Sequence, residues 1–342
     1  MMNIDLNRYV SPYKLGRPVI TPSGVEGDFN RLGVDCPVPF RHNGKVYMLH
    51  VGFDGKGYQT ALCVADDDSL LRWKQLKIIL PRGNAGAWDE VGRAGTTILC
   101  DNELFGNREI KKLGGKYWIM YHAYPGSGYE VGPAEIGLAW CEDEALLDWH
   151  CLDKPVYSWK DGEAWEKGGL YKCDLLEHGE KFYMFYNAKN ITDGSWREQT
   201  GGAVSDDLLH WQRLPGNPCV PVTDGAWDSK FASDPVVLYD SAKRLWVMYY
   251  FGYNYKNAQD GIAFSTDLLH WKKHPEPIMH NGAPGELDST HAHKPGILFH
   301  NGMLYHFYCA VRPTDTEEEK EKFNNEFRTI SVARSTSWRT DC

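Results

Sequence analysis

Apolar residues in this chain come in short runs, such as Phe182 to Tyr186 and Leu245 to Phe251, each following a polar turn. Runs this short, rich in aromatic and β-branched residues, predict strands rather than helices. The turns are His42-Asn43-Gly44-Lys45, Gly114-Gly115-Lys116, His178-Gly179-Glu180-Lys181 and His300-Asn301-Gly302-Met303. Asp240-Ser241-Ala242-Lys243-Arg244 takes the same place in a further unit. Asn-Gly and Gly-Gly ahead of such runs signal hairpins. The polar punctuation repeats as well. Ser205, Asp207, Leu208, Leu209, His210 and Trp211 recur as Ser265, Asp267, Leu268, Leu269, His270 and Trp271, and weaker copies end at Trp73, Trp149 and Trp338. Successive closing tryptophans are 76, 62, 60 and 67 residues apart. Each unit opens on a variant of Gly86-Ala87-Trp88-Asp89, seen again at Glu163-Ala164-Trp165-Glu166 and Gly225-Ala226-Trp227-Asp228. Degenerate forms stand at Gly27-Asp28-Phe29-Asn30 and Gly285-Glu286-Leu287-Asp288. Five such units of about four strands each predict an all-β, five-bladed β-propeller.

The expected blades are 27–75, 86–151, 163–213, 225–273 and 285–342, forming a single domain over 1–342, with residues 1–26 closing the ring against the last blade. The second carries extra sequence around Thr96 to Glu109, expected as a loop or hairpin over one face. In the fifth, Thr316-Glu317-Glu318-Glu319-Lys320-Glu321-Lys322 reads as a solvated loop or short helix between the second and third strands, without a chemical role.

Composition narrows the function. A net charge of −9 argues against a nucleic-acid partner. Nothing resembles a run of about 18 apolar residues, so no membrane partner is expected. The start Met1 to Arg8 lacks an apolar core, and the 9 cysteines are odd in number and without paired spacing. Reduced thiols and a cytoplasmic location follow, or a secreted or periplasmic one if a leader has been removed. With 13 Trp and 19 Tyr, the chain has aromatic rings to spare as stacking platforms for sugars.

In a propeller the first strand of each blade lines the central channel. Aligned on the aromatic after each turn, the positions twelve earlier are Asp35, Gly106, Tyr171, Asp234 and His293, and Asp174 and Glu109 share a second register nine earlier. A lone Asp there would cap a turn. Several carboxylates converging on one channel are costly unless paired or functional. His291 and His293 share one side of a strand and, with His306, would hold a metal or touch substrate. No dense Cys/His signature marks a catalytic zinc. Loops on the same face supply Tyr124, Asn187, Trp196, Glu198, Tyr253 and Tyr255 as walls of a pocket for a terminal sugar, with Arg93 and Arg108 for hydroxyls or a carboxylate.

Val34-Asp35-Cys36-Pro37, Asp174, Ser233-Asp234-Pro235-Val236-Val237 and His291-Ala292-His293-Lys294-Pro295 make the chain resemble the five-bladed propeller glycoside hydrolases, the group of family 43 and its relatives in families 32, 62, 68, 117 and 130. The resemblance spans the whole chain in architecture. It implies Asp35 as general base, Asp234 as general acid, Asp174 as the carboxylate that tunes the acid, and His293 beside a calcium ion in the channel, with no cofactor required. Three departures stand out: Asp234 replaces a Glu, Asp174 is three residues out of register and lacks the following Pro, and Cys36 separates Asp35 from Pro37. Glu109, Glu198 and His293 therefore stay open as the acid. Glycosidic cleavage needs one protonated acid and one ionised carboxylate, so their environments must separate their pKa values. The reading is an exo-acting glycoside hydrolase cleaving a terminal sugar from a plant or algal oligosaccharide, with inversion. Its substrate contacts would be Glu109, Arg108, His291, His293, Glu198, Trp196, Asn187 and Tyr124. The alternatives are a family 130-like mannoside phosphorylase or mannosidase, with Arg93, Arg108, His291, His293 and Lys294 around phosphate, and a non-catalytic carbohydrate-binding propeller.

Overall fold

The computed structural model describes residues 4–192, 194 and 196–338. A two-residue strand comes first, β1 (Tyr13–Lys14). Blade one is β2 (Gly33–His42), β3 (Lys45–Phe53), β4 (Tyr58–Ala65) and β5 (Trp73–Leu80). Blade two is β6 (Ala94–Ile98), β7 (Tyr117–Ala123), β8 (Glu135–Cys141) and β9 (His150–Cys151). Blade three is β10 (Leu170–His178), β11 (Lys181–Asn190), β12 (Arg197–Ser205) and β13 (Trp211–Arg213). Blade four is β14 (Phe231–Asp240), β15 (Leu245–Tyr253), β16 (Ala258–Ser265) and β17 (Lys272–Lys273). Blade five has β18 (His291–His300), β19 (Met303–Pro313) and β20 (Glu326–Arg334), with helix α1 (Glu317–Phe323) between the last two. Its fourth strand is β1, with Tyr13 opposite Arg334 and Lys14 opposite Ala333. The chain start thus closes the ring.

Local chemistry explains the blades. Asn43-Gly44, Gly114-Gly115 and Asn301-Gly302 all take positive φ, the primed turn that matches strand twist. In the repeated closing motif, Ser205 Oγ accepts from the N–H groups of Asp207 and Leu208, and Asp207 Oδ1 accepts from those of Leu209 and His210. That turn forces Leu208 to a φ of 67° and buries it, and Leu70, Leu146 and Leu268 do the same in their blades. The opening motif has a structural use too. Its carboxylate meets a tyrosine of the second strand and a cation: Asp89 with Tyr121 and Arg93, Glu166 with Tyr186 and Arg213, Asp228 with Tyr250 and Lys273, Asp288 with Tyr308 and Lys14. Apolar clusters fill the spaces between neighbouring blades, as where Val34 and Met48 of blade one meet Leu298 and Phe307 of blade five. Among the described residues every cysteine is free, and no helix is long and apolar enough to cross a membrane.

Two expectations are corrected. Thr96 belongs to inner strand β6, and the extra sequence of blade two is residues 99–116, which crosses the far end of the ring. There Glu103 bridges to Tyr239 of blade four, and Glu109 bridges to Arg41 and accepts from the Asn43 N–H of blade one. Blade four is also shifted by one residue from its expected alignment. Its hairpin loop has four residues, 241–244, where blade one has two, so the aromatic Trp246 is not the counterpart of Tyr47. Ser233, not Asp234, is equivalent to Asp35.

Candidate active site

Every inner strand breaks its pairing with a bulge at one level of the channel: between Asp35 and Val38, Gly95 and Thr97, Tyr171 and Cys173, Ser233 and Val236, and His293 and Gly296. A bulge re-aims side chains, and here it delivers them into one cavity. Cys36, Asp234 and Lys294 have positive φ values of 50°, 57° and 64°, and each precedes a proline that needs no ladder hydrogen bond. Lys172 stands at the equivalent place of blade three.

The cavity is about 260 Å³. Asp35, Asp234, His291 and His293 form its inner part, and Tyr124, Asn187, Trp196 and Glu198 stand on its walls as expected from sequence. Lys172, Lys294, Arg328, Lys230, Tyr58, Tyr129 and Glu130 join them without having been expected as hydrolase residues. Lys172 and Lys294 follow the repeated inner-strand register by one residue, so that spacing carried a signal for them. Glu130 sits on the loop between β7 and β8 with a φ of 52°, outside any register.

Four carboxylates share the cavity in different electrostatic settings. Burial alone would raise the Asp35 carboxyl, but Lys294 Nζ at 2.8 Å and Arg328 Nη1 at 3.4 Å outweigh it and hold it well below the usual carboxylate range. Asp234 is pushed up to about 6, chiefly by burial, with Glu198 and Asp35 adding to the rise against Lys172 and Lys294. Glu130 rises to about 7, again by burial first and then by the charge of Glu198, while Lys294 and Lys189, whose Nζ is 3.9 Å away, oppose the rise. Glu198 has no cationic partner among the described residues. Its carboxylate accepts from Asn187 Nδ2 at 2.9 Å, Trp196 Nε1 at 2.8 Å and Ser233 Oγ at 3.4 Å. Asn187 Oδ1 and His122 Nδ1 are buried at the cavity without a partner in the chain, so they are free for substrate hydroxyls. Lys230 is ringed by Trp196, Phe231, Tyr253 and Tyr255, with its Nζ 4.7 to 5.9 Å from their centroids.

Several expected site residues lie elsewhere. Asp174 is below the cavity, where it accepts from Thr97 Oγ1 at 3.0 Å and the Val237 N–H at 2.6 Å, and so ties three inner strands together. It is absent from the groups that chiefly set Asp234, so Glu198 and Asp35 supply the like-charge effect instead. Arg108 comes from the far end of the ring, is buried, and donates from Nε to the Pro39 carbonyl. With Lys172 and Asp174 it lines only a small void of about 10 Å³. Glu109 is at that far end, remote from the cavity. Arg93 is committed to Asp89, and His306 to Asp260 at 2.8 Å.

The residues do not fit a central cation. His293 Nδ1 faces the Cys309 carbonyl, and its Nε2 is 3.5 Å from the Arg328 guanidinium. Burial, Arg328, His291 and Lys294 hold the imidazole neutral, and fixed positive charges at that distance repel a calcium ion. Among the described residues no three metal-ligating side chains come together.

Comparison with known proteins agrees with this architecture. Residues 108–321 match the family model described as "Glycosyl hydrolases family 32 N-terminal domain". A solved complex of BT0996 with RGII is 30% identical with a TM-score of 0.81, covering 97% of this chain and 93% of that one. A structure described as a glycosyl hydrolase from Bacteroides ovatus is 15% identical with a TM-score of 0.67, covering 95% and 94%, and shares the fold. A beta-1,2-mannobiose phosphorylase from Thermoanaerobacter sp. (strain X514) is 26% identical over 165 residues, 44% of this chain and 53% of that protein, so the match spans about half of that relative's length. On the family match and the full-length likeness together, the chain belongs to the propeller glycosyl hydrolases of the family 32 N-terminal domain, and it is a glycosidase.

Proposed function

We propose that this glycosidase is exo-acting and removes one terminal sugar from a plant or algal oligosaccharide, with Glu130 as general acid and Glu198 as the catalytic base. The observation that carries the reading is the contrast between these two carboxylates in one cavity. Glu130 keeps a proton near neutrality, partly because Glu198 is ionised beside it. A protonated and an ionised carboxylate facing one site are what glycosidic cleavage requires. Asp35 is less suited to be the base, because Lys294 and Arg328 already compensate its charge. Asp234 is suited to grip a hydroxyl at the cavity floor. Both Glu198 oxygens accept hydrogen bonds, which favours orienting and deprotonating a water over direct attack, and hence inversion.

The exo character rests on the closed end of the channel. Arg108, Lys172 and Asp174 fill the space below the cavity, so a glycan can enter from one side only. A volume of about 260 Å³ suits a sugar ring rather than a threaded polymer. The similar structure in complex with RGII supports a plant polysaccharide as the source of the substrate.

Phosphorolysis is the second reading, favoured by the mannobiose phosphorylase relative and by Lys172, Lys294 and Arg328 at the cavity. Two of these cations are committed to Asp35, which leaves hydrolysis in front. The test is turnover of RGII-derived oligosaccharides and β-1,2-mannobiose, with and without phosphate. Release of one monosaccharide without phosphate supports hydrolysis, and turnover that needs phosphate replaces it with phosphorolysis.

A further inference from the structure

A second cavity of about 300 Å³ adjoins the first between blades five and one, and Asp35, Tyr58, Tyr129 and Arg328 line both. Its outer wall is Phe323, Asn324, Asn325 and Glu326, the end of the acidic-basic segment of blade five that the sequence leaves without a role. That wall is built rather than loose. Thr316 caps α1 by accepting from the Glu319 N–H at 3.1 Å. Arg312 grips Glu319 through two nitrogens, at 2.6 and 2.9 Å, and its guanidinium lies over Phe327. Phe323 stands edge-on to Phe327 at 5.1 Å, and Gly24 packs so closely on the Phe323 ring that an added Cβ would come within 3.1 Å of it. Thr314 Oγ1 holds the Asn324 carbonyl at 2.9 Å.

We infer that this chamber is a second subsite, which takes the neutral sugar next to the one being released. The inference rests on the glycosidase reading of the first cavity. Leu32, Phe53 and Phe323 offer an apolar surface for the C–H face of a ring, and Asn325 and Glu326 offer polar groups for its hydroxyls. Arg328 bridges the chambers, with Nη1 toward Asp35 and Nη2 on Glu326 at 3.0 Å. Its charge is therefore balanced from both sides, so the chamber has no surplus cation for a uronate and selects a neutral residue.

The experiment compares an RGII-derived oligosaccharide with the 4-nitrophenyl glycoside of its terminal sugar, on wild type, Phe323→Ala and Asn325→Ala, with thermal melts as folding controls. For the oligosaccharide, Phe323→Ala raises KM by about tenfold, the size expected for one lost aromatic stacking contact. Asn325→Ala shifts KM in the same direction, while kcat/KM for the aryl glycoside stays as in wild type. Titration calorimetry on Glu130→Gln protein then finds the oligosaccharide bound more tightly than the monosaccharide, and Phe323→Ala removes the difference. Equal effects on both substrates, no effect on either, or equal binding of the two ligands overturns the subsite. Failure of the glycosidase reading shows separately, as wild-type protein that turns over neither substrate.

Discussion

Three neutral donors hold Glu198 ready as an anion, and that anion is one reason Glu130 keeps its proton; each residue thus sets the other's role. General acid catalysis requires the protonated form, so activity should fall as pH rises through about 7, the value to which Glu130 is raised. A break near 6 in a kcat/KM profile would point to Asp234 instead. Glu130→Gln should lower kcat/KM by about 10²–10⁴-fold on natural glycosides, with a smaller loss on aryl glycosides whose leaving group needs no proton. For Glu198→Ala, added azide should restore activity by occupying the vacated place; azide rescue of Asp35→Ala and not of Glu198→Ala would return the base to Asp35. The sequence exposed Asp35, Asp234 and Glu198 because each lies in or beside a repeating strand. Glu130 was hidden because a non-repeating loop with a left-handed residue carries it there.

Within each blade, the opening motif turns out to be a buried joint. In blade four, Asp228 is 2 % exposed at its side chain, meets Lys273 Nζ at 2.6 Å, and is reached by the Tyr250 hydroxyl at 3.3 Å. Lys273→Met leaves that carboxylate without its cation, which should cost about 3 kcal/mol and lower Tm by several degrees in a calorimetric melt. An unchanged Tm would reduce the joint to a surface ion pair. The motif was visible in sequence as spacing, but its purpose was not. The cation comes from the fourth strand in three blades and from four residues downstream in blade two, so no fixed interval marks it. The inner-strand bulges behave similarly: their prolines are legible at Pro37, Pro235 and Pro295, while the register they shift is fixed only by pairing with the second strand.

Across the whole ring, two non-repeating segments make a channel into a blind pocket. The chain start supplies β1 as the last strand of blade five, and Lys14 reaches Asp288 from it at 2.5 Å. Removing residues 1–20 should open the edge of β20, uncover the apolar cluster that contains Leu15, Val19 and Ile20, and lower Tm sharply. The residue 99–116 excursion closes the opposite end with Arg108. Arg108→Ala should loosen that floor and lower stability while leaving KM for a small aryl glycoside nearly unchanged; a large rise in KM would return Arg108 to the substrate.

The sequence by itself determined the number of blades, their turns and closing motifs, and the presence of carboxylates at the channel. Those features depend on intervals within one repeating unit, where neighbours in sequence are neighbours in space. Which carboxylate keeps a proton, which is neutralised, and which merely joins strands was decided only by the tertiary structure. Protonation depends on burial and on charges such as Lys294, Arg328 and Glu198, which arrive from other blades. Asp174 makes the point plainly: its place along the chain suggested catalysis, and the closing of the ring put it beneath the cavity, on Thr97 and the Val237 backbone.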